Sequence, residues 1–154
     1  MKLAIHCARI GASLPAGMER FSSNLLRVHE TLGDDYKALV QNNFKRESEP
    51  DGRPWRALSP ATATRMITSK KRRGYHPILR VTGNLADVKV RATRDYVEIG
   101  SNLAYAAIHQ FGGQAGRVRI PARPWLFDRQ GGIPQKMAEA LARTAQRELD
   151  QCLS

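Results

Sequence analysis

Cysteine is nearly absent from the chain: of 154 residues only Cys7 and Cys152 are cysteines, one near each end. Two thiols cannot supply the dense disulfide framework of a small secreted domain, and they read as small buried hydrophobes kept free in a reducing compartment. Long apolar runs are missing too. Nothing approaches the roughly 18 apolar residues that suggest a membrane span. The opening Met1-Lys2-Leu3-Ala4-Ile5 is cut short by His6 and Arg9, too soon for the apolar region of a secretory signal. The expectation is a protein without membrane contact, made in the cytoplasm and held there until it is assembled into something. Acidic residues are scarce beside basic ones, 14 against 25, which leaves a formal net charge of +11. That balance favours anionic partners: nucleic acid, acidic protein rims or charged surfaces.

Chemistry is equally sparse. The four histidines, His6, His29, His76 and His109, show no metal-ligand spacing with cysteines or carboxylates, so no metal and no cofactor are expected. No phosphate-cradling glycine loop, dinucleotide fingerprint or nucleophile elbow occurs, and Gly100-Ser101 is not such an elbow. His109 reads as a hydrogen-bonded structural histidine, because no serine or cysteine nucleophile motif accompanies it. Asp34-Asp35 reads as a helix cap, and Glu47, Glu49 and Asp51 as turn chemistry. No catalytic residue is assigned, and the chain is expected not to be an enzyme.

What is present is an ordinary globular composition, 42% apolar and 25% charged, in a length that suits a single domain over residues 1–154. Leu3, Ile5 and Cys7 alternate as a short first strand. Met18, Phe21, Leu25, Val28 and Leu32, then Tyr36, Leu39, Val40 and Phe44, recur at three and four residues, the stripe of a long amphipathic helical segment. Gly33-Asp34-Asp35 interrupts it, so residues 16–46 are one long helix, one kinked helix or a helical hairpin. A proline-rich loop anchored by Trp55 follows, and Ser59-Pro60 opens a short helix. Asp87-Val88-Lys89-Val90-Arg91 and Tyr96-Val97-Glu98-Ile99 alternate as a hairpin, to which Arg117-Val118-Arg119-Ile120 adds a further strand. Pro134 starts a final amphipathic helix carrying Met137, Leu141, Ala145, Leu149 and Leu153. The fold class is α+β: an antiparallel sheet of about four strands packed by the long N-terminal helical segment and a C-terminal helix.

Two features point outward. Lys70, Lys71, Arg72 and Arg73 form four consecutive cations beside Gly74 and Pro77, either a solvated loop or a contact for phosphate or an acidic neighbour; Arg117 and Arg119 join them as candidates. The second is the stretch from Ile99 to Gly113, in which Ser101 or Asn102 caps a short helix, Leu103, Ala104, Ala107, Ile108 and Phe111 form its apolar side, and Gly112-Gly113 stops it. Pro121-Ala122-Arg123-Pro124-Trp125 then makes a rigid turn.

The order of "IGSNLAYAAIHQFGG" and "RIPARPWL", with Pro50-Asp51-Gly52-Arg53-Pro54-Trp55-Arg56 and Ile78-Leu79-Arg80-Val81-Thr82-Gly83-Asn84-Leu85 upstream, resembles the phage virion morphogenesis family, the tail-completion proteins of Mu-like and P2-like phages. The resemblance covers roughly residues 44 to 127. It implies a structural protein that completes the tail at its head-proximal end and prepares it for head-tail joining, as a ring of six copies. Tail tube protein and neck proteins would be its partners, DNA in the lumen a non-specific contact, and the virion its destination. In that setting Trp55, Tyr105, His109, Gln110, Phe111, Arg123 and Trp125 are candidates for subunit or partner contact. Tyr105 and Phe111 would pack the short helix on the sheet, His109 and Gln110 would bond backbone at a subunit edge, and Arg123 would offer its guanidinium to a neighbouring subunit. The alternative from charge alone is a basic nucleic-acid-binding module.

Overall fold

The computed structural model describes residues 2–6, 20, 23–68, 77–80 and 82–153. The cation run Lys70, Lys71, Arg72 and Arg73 lies outside the described residues, as do Cys7, Met18 and Phe21. In chain order the elements are β1 (Lys2–His6), α1 (Leu25–Arg46), α2 (Pro60–Thr68), a 3-10 turn (Asn84–Ala86), β2 (Lys89–Ala92), β3 (Tyr96–Gly100), α3 (Ala106–Phe111), β4 (Gly113–Ala115), β5 (Val118–Ile120) and α4 (Gln135–Leu153). This is a mixed helix and strand fold with antiparallel sheets, as the alternation of the strands implies.

The strands divide between two sheets. One has the order β1-β3-β2, with Leu3 opposite Ile99 and Val90 opposite Ile99 on the other side. Residues 118–120 do not extend it. They pair with β4 instead, Ala115 against Val118 and Gly113 against Ile120, as a separate two-stranded sheet. Leu85 sits in the 3-10 turn that leads into β2.

Helix α1 is continuous through Gly33-Asp34-Asp35, because Gly33 and Asp35 face neighbouring elements instead of ending the helix. A Cβ on Gly33 would lie 2.4 Å from Val90 Cγ1 and 3.1 Å from Val97 Cγ2, so the missing side chain lets the helix lie against β2 and β3. Asp35 caps nothing; its carboxylate accepts the Thr144 hydroxyl of α4 and lies 3.9 Å from Arg147. Leu25, Val28, Leu32, Tyr36, Val40 and Phe44, spaced by three and four, are all buried. From the other side Met137 and Leu141 of α4 close the core, and Arg27 bonds Glu148 at 2.8 Å. The helix ends at Glu47, in the left-handed region at φ 53°, whose carboxylate accepts the Ile78 N–H at 2.6 Å.

Candidate functional site

Phe44, at the end of α1, meets both tryptophans. Its ring stands edge-on to Trp55 at 5.2 Å and tilted against Trp125 at 5.7 Å. Trp55 donates its indole N–H to the Pro124 carbonyl at 2.6 Å, which pins the proline-rich loop to the rigid turn 69 residues away. The two tryptophans are therefore internal anchors, at 5% and 0% exposure, and not the surface contacts expected of them. Large amphipathic rings bury much area and leave one polar atom to place, and here both indoles find a carbonyl, Trp125 reaching that of Ala106 at 3.4 Å.

Gln110 is the centre of this arrangement. Its Oε1 accepts the main-chain N–H of Trp125 at 3.0 Å and of Leu126 at 3.1 Å, while its Nε2 donates to Phe127 O at 2.7 Å. A turn fixed by prolines cannot satisfy these groups through a sheet ladder, so one buried side-chain amide does it. Gln110 does bond backbone, as expected, but the backbone of its own chain, at 1% exposure. Tyr36 completes the brace by donating its hydroxyl to Leu126 O at 2.5 Å; burial, then the nearby Asp128 carboxylate, raise its pKa.

Arg123 also turns inward. Its Nε donates to Arg56 O at 2.8 Å and its Nη2 to Ala57 O at 3.2 Å, and it is 5% exposed. The guanidinium expected to reach a neighbouring subunit is thus committed to main-chain carbonyls of the Trp55 loop. Burial lowers its pKa, and the adjacent Arg56 lowers it further. His109, half-buried beside it, has its pKa lowered by burial first and by Arg123 second.

Helix α3 begins later than its capping residues suggest. Ser101 Oγ accepts the Leu103 N–H at 3.3 Å in the approach to the helix, and Tyr105 occupies the N-cap. The helix packs through Ala106 and Gln110, leaving Tyr105 41% and Phe111 56% exposed, the reverse of the expectation that these rings seal it to the sheet. Phe111 touches Phe127 at 5.7 Å with its outer face free. Gly112 ends the helix as expected. Its φ is 74°, and a Cβ there would stand 2.7 Å from Ala122 N, so the turn passes where no side chain fits.

Beyond this scaffold lies a groove of about 1700 Å³ between α2 and the β4–β5 hairpin. Arg56, Arg65, Arg119, Arg123 and Arg129 line it, and among the described residues no carboxylate does. Tyr105, Phe111 and Val118 line it too. Arg129 is paired with Glu49, which is buried, through an Nε contact of 3.1 Å and a second guanidinium contact. Arg119 was among the expected outward cations and does line the groove, whereas Arg117 lies at the exposed hairpin turn outside it. Nothing in the sequence pattern groups Arg56 and Arg65 with Arg119. Each sits in a different segment, and only the fold brings them together; the one local signal was the position of Arg56 directly after the anchoring Trp55. Among the described residues there is no group of histidine, cysteine and carboxylate side chains placed to hold a metal ion, and no helix long and apolar enough to cross a membrane.

The model of the phage virion morphogenesis family matches residues 10–150. The chain belongs to that family. Similar proteins include protein G of Escherichia phage Mu, which its name assigns provisionally to capsid assembly. It is 32% identical over 114 residues, 71% of this chain and 65% of the Mu protein. The Mu-like prophage FluMu G protein 2 of Haemophilus influenzae is 37% identical over 101 residues, 63% of this chain and 62% of its own. The chain thus spans a little under two thirds of the length of these relatives. No solved structure matches it. Within this family member the scaffold joins the loop at Trp55, helix α3 and the rigid turn, three segments separated in sequence and bonded to one another by Trp55, Gln110 and Arg123.

Proposed function

We propose that the protein completes the phage tail at its head-proximal end and readies it for head-tail joining, acting as a ring of six copies. The observation that carries this reading is the match to the virion morphogenesis family over residues 10–150. The geometry is compatible in kind. Buried polar side chains such as Gln110 and Arg123 are spent on fixing backbone, and the surface beside them carries uncovered apolar and cationic groups. A tail tube has rotational symmetry, so a protein closing its end repeats around that axis through head-to-tail contacts that close. The tail tube protein and the neck proteins are the partners on this reading, and the virion tail is the site of residence. Some of the 25 basic side chains would face a lumen through which DNA passes, and they would contact phosphate without reading bases.

Electron microscopy of tails purified with and without this protein tests the reading. Tails lacking it should have open or overgrown head-proximal ends and fail to join heads, and adding the purified protein should restore a sixfold ring there. A single copy bound off-axis, or normal joining without the protein, overturns the proposal. Strong salt-dependent binding to free duplex DNA with no tail association would favour the basic nucleic-acid-binding module instead.

A further inference from the structure

We propose that the groove between α2 and the β4–β5 hairpin is a docking surface for an acidic polypeptide segment that carries interspersed apolar side chains. Three observations converge on it. First, its lining charge is of one sign: five arginines and, among the described residues, no carboxylate. Arg129 has Glu49 behind it and Arg123 is held by carbonyls, but Arg56, Arg65 and Arg119 are exposed and their guanidinium groups make no hydrogen bond or ion pair with the described residues. Clustered guanidinium forks without carboxylates attract carboxylates or phosphates, and their planar geometry suits bidentate contacts.

Second, the walls are apolar in a way that phosphate alone does not use. Val118 is 64%, Phe111 56% and Tyr105 41% exposed along the groove. Nucleic-acid interfaces are dominated by polar contacts to the backbone, whereas a protein docking site buries apolar anchors at its centre and places charges around them. The aliphatic Val118 has no stacking role to play with bases. This mixture favours a peptide over DNA.

Third, both walls are short of internal partners. Helix α2 buries none of its nine residues, and β5 is the outer strand of a two-stranded sheet, with pairing on the β4 side alone among the described residues. A nine-residue helix and a three-residue strand have little stability of their own. A segment lying between them would cover Phe111 and Val118, place carboxylates on Arg56, Arg65 and Arg119, and tie both walls together. The chain's own charge of +11 makes a partner more acidic than this protein the matching occupant. The inference stands whether or not the protein forms a ring, because its test uses the free protein and a peptide.

A display library of short random peptides selected on the folded protein provides the probe, with a labelled random-sequence DNA duplex titrated in parallel. Recovered peptides should carry several Asp or Glu among Leu, Ile or Phe. Their binding should weaken about tenfold or more in the Arg56→Glu/Arg119→Glu double variant. Circular dichroism should be unchanged, since both side chains are exposed. Arg65→Glu, on a helix that buries nothing, should weaken the same peptides separately. Peptides without acidic residues, peptides that bind the reversal variants as tightly as the parent, or duplex DNA that binds more tightly through the same arginines, would each overturn the proposal.

Discussion

Gln110 and Phe111 are neighbours in sequence and opposites in use. Gln110 is 1% exposed and satisfies three main-chain groups of the rigid turn; Phe111 is 56% exposed and faces a groove. The same contrast holds on a larger scale between the scaffold of Phe44, Trp55 and Trp125 and the walls formed by α2 and β5. The scaffold residues come from distant parts of the chain and are locked by long-range hydrogen bonds. The walls are short local elements with little beneath them. Backbone rigidity on one side of Gly112 therefore holds an unfinished surface on the other, the arrangement expected where a surface must be presented in a fixed orientation to something else.

If the scaffold is the stabilising half of that comparison, the largest losses come from its aromatic anchor. Trp125→Ala should cost about 3 to 5 kcal/mol, the range for emptying a fully buried large aromatic site, and lose the indole bond to Ala106 O as well. Chemical denaturation followed by circular dichroism reads it directly. A cost under 1 kcal/mol would mean that the scaffold collapses around the cavity and does not fix the turn.

Gln110→Leu comes next, at about 3 kcal/mol, because the variant keeps volume but strands two N–H donors and a carbonyl that were bonded in the interior, each costing about 1 to 3 kcal/mol when unmet. The partial recovery of those groups by water keeps the sum below the simple total. Amide hydrogen exchange supplies a local readout: the N–H groups of Trp125 and Leu126 should lose protection more than those of α4. Uniform loss across both would instead mean that Gln110 supports the whole fold without a special hold on the turn.

Much of this comparison was invisible in the sequence, and the reasons are particular. Periodicity locates α1, α4 and the β2–β3 hairpin, since their apolar residues repeat at helical or strand spacing; on α4 Met137 and Leu141 bury as that spacing implies, while Ala145 and Leu149 are half-buried beside the buried Thr144 and Glu148. Ser59-Pro60 likewise starts α2, with the Ser59 hydroxyl accepting the Thr62 N–H at 3.3 Å. The stretch around Trp55, Gln110 and Trp125 was legible as unusual, but not as to which way its side chains face. An arginine between two prolines looks the same in sequence whether its fork meets another subunit or the carbonyls of Arg56 and Ala57. Gly33 reads as a helix breaker for a similar reason: local propensity is visible, whereas the approach of Val90 is not. The groove's cations at 56, 65 and 119 lie in three segments, and only tertiary structure assembles them.

Gly33 offers a smaller and more discriminating perturbation. Alanine is favoured over glycine in a helix by about 1 kcal/mol, yet the new Cβ would meet the stiff Val90 side chain at 2.4 Å. Overpacking of this kind costs about 1 to 3 kcal/mol. Gly33→Ala should therefore destabilise by about 1 kcal/mol net. In a Val90→Ala background most of that cost should disappear, because the 2.4 Å clash is gone and the propensity gain remains, with only the 3.1 Å approach to Val97 Cγ2 left to accommodate. A destabilisation of equal size in both backgrounds would place the cost elsewhere than the helix–sheet contact.

A pH titration tests the boundary between the two regions at His109. Burial, with the Arg123 charge beside it, holds its pKa below the ordinary value. The unfolded chain thus takes up a proton before the folded one does. Stability from this residue is present above about pH 6.5 and is lost as pH falls through the lowered folded pKa. Wild type should melt progressively lower on acidification in that window, and His109→Gln should show a flatter profile, the difference isolating this residue from the other titrating groups. Proton NMR should show His109 titrating below the range of a free imidazole. Occupation of the groove by carboxylates would raise that midpoint toward it.

The smallest effect is expected at the walls, and it separates display from structure most sharply. Val118→Thr keeps the β-branched shape that suits a strand while replacing an exposed methyl with a hydroxyl. Ile67→Gln keeps a good helix former on α2, where the parent side chain is 62% exposed and no residue of the helix is buried. Neither variant opens a cavity or strands a buried polar group, so each should change stability by less than about 0.5 kcal/mol. Val118→Thr should nonetheless weaken the acidic–apolar peptides selected on the groove, because it removes an apolar anchor without touching a charge, whereas Ile67, which does not line the groove, should leave them unaffected. If Val118→Thr destabilised the fold as strongly as Gly33→Ala, its side chain would belong to the scaffold, and the division between a bonded interior and a displayed rim would fail at that strand.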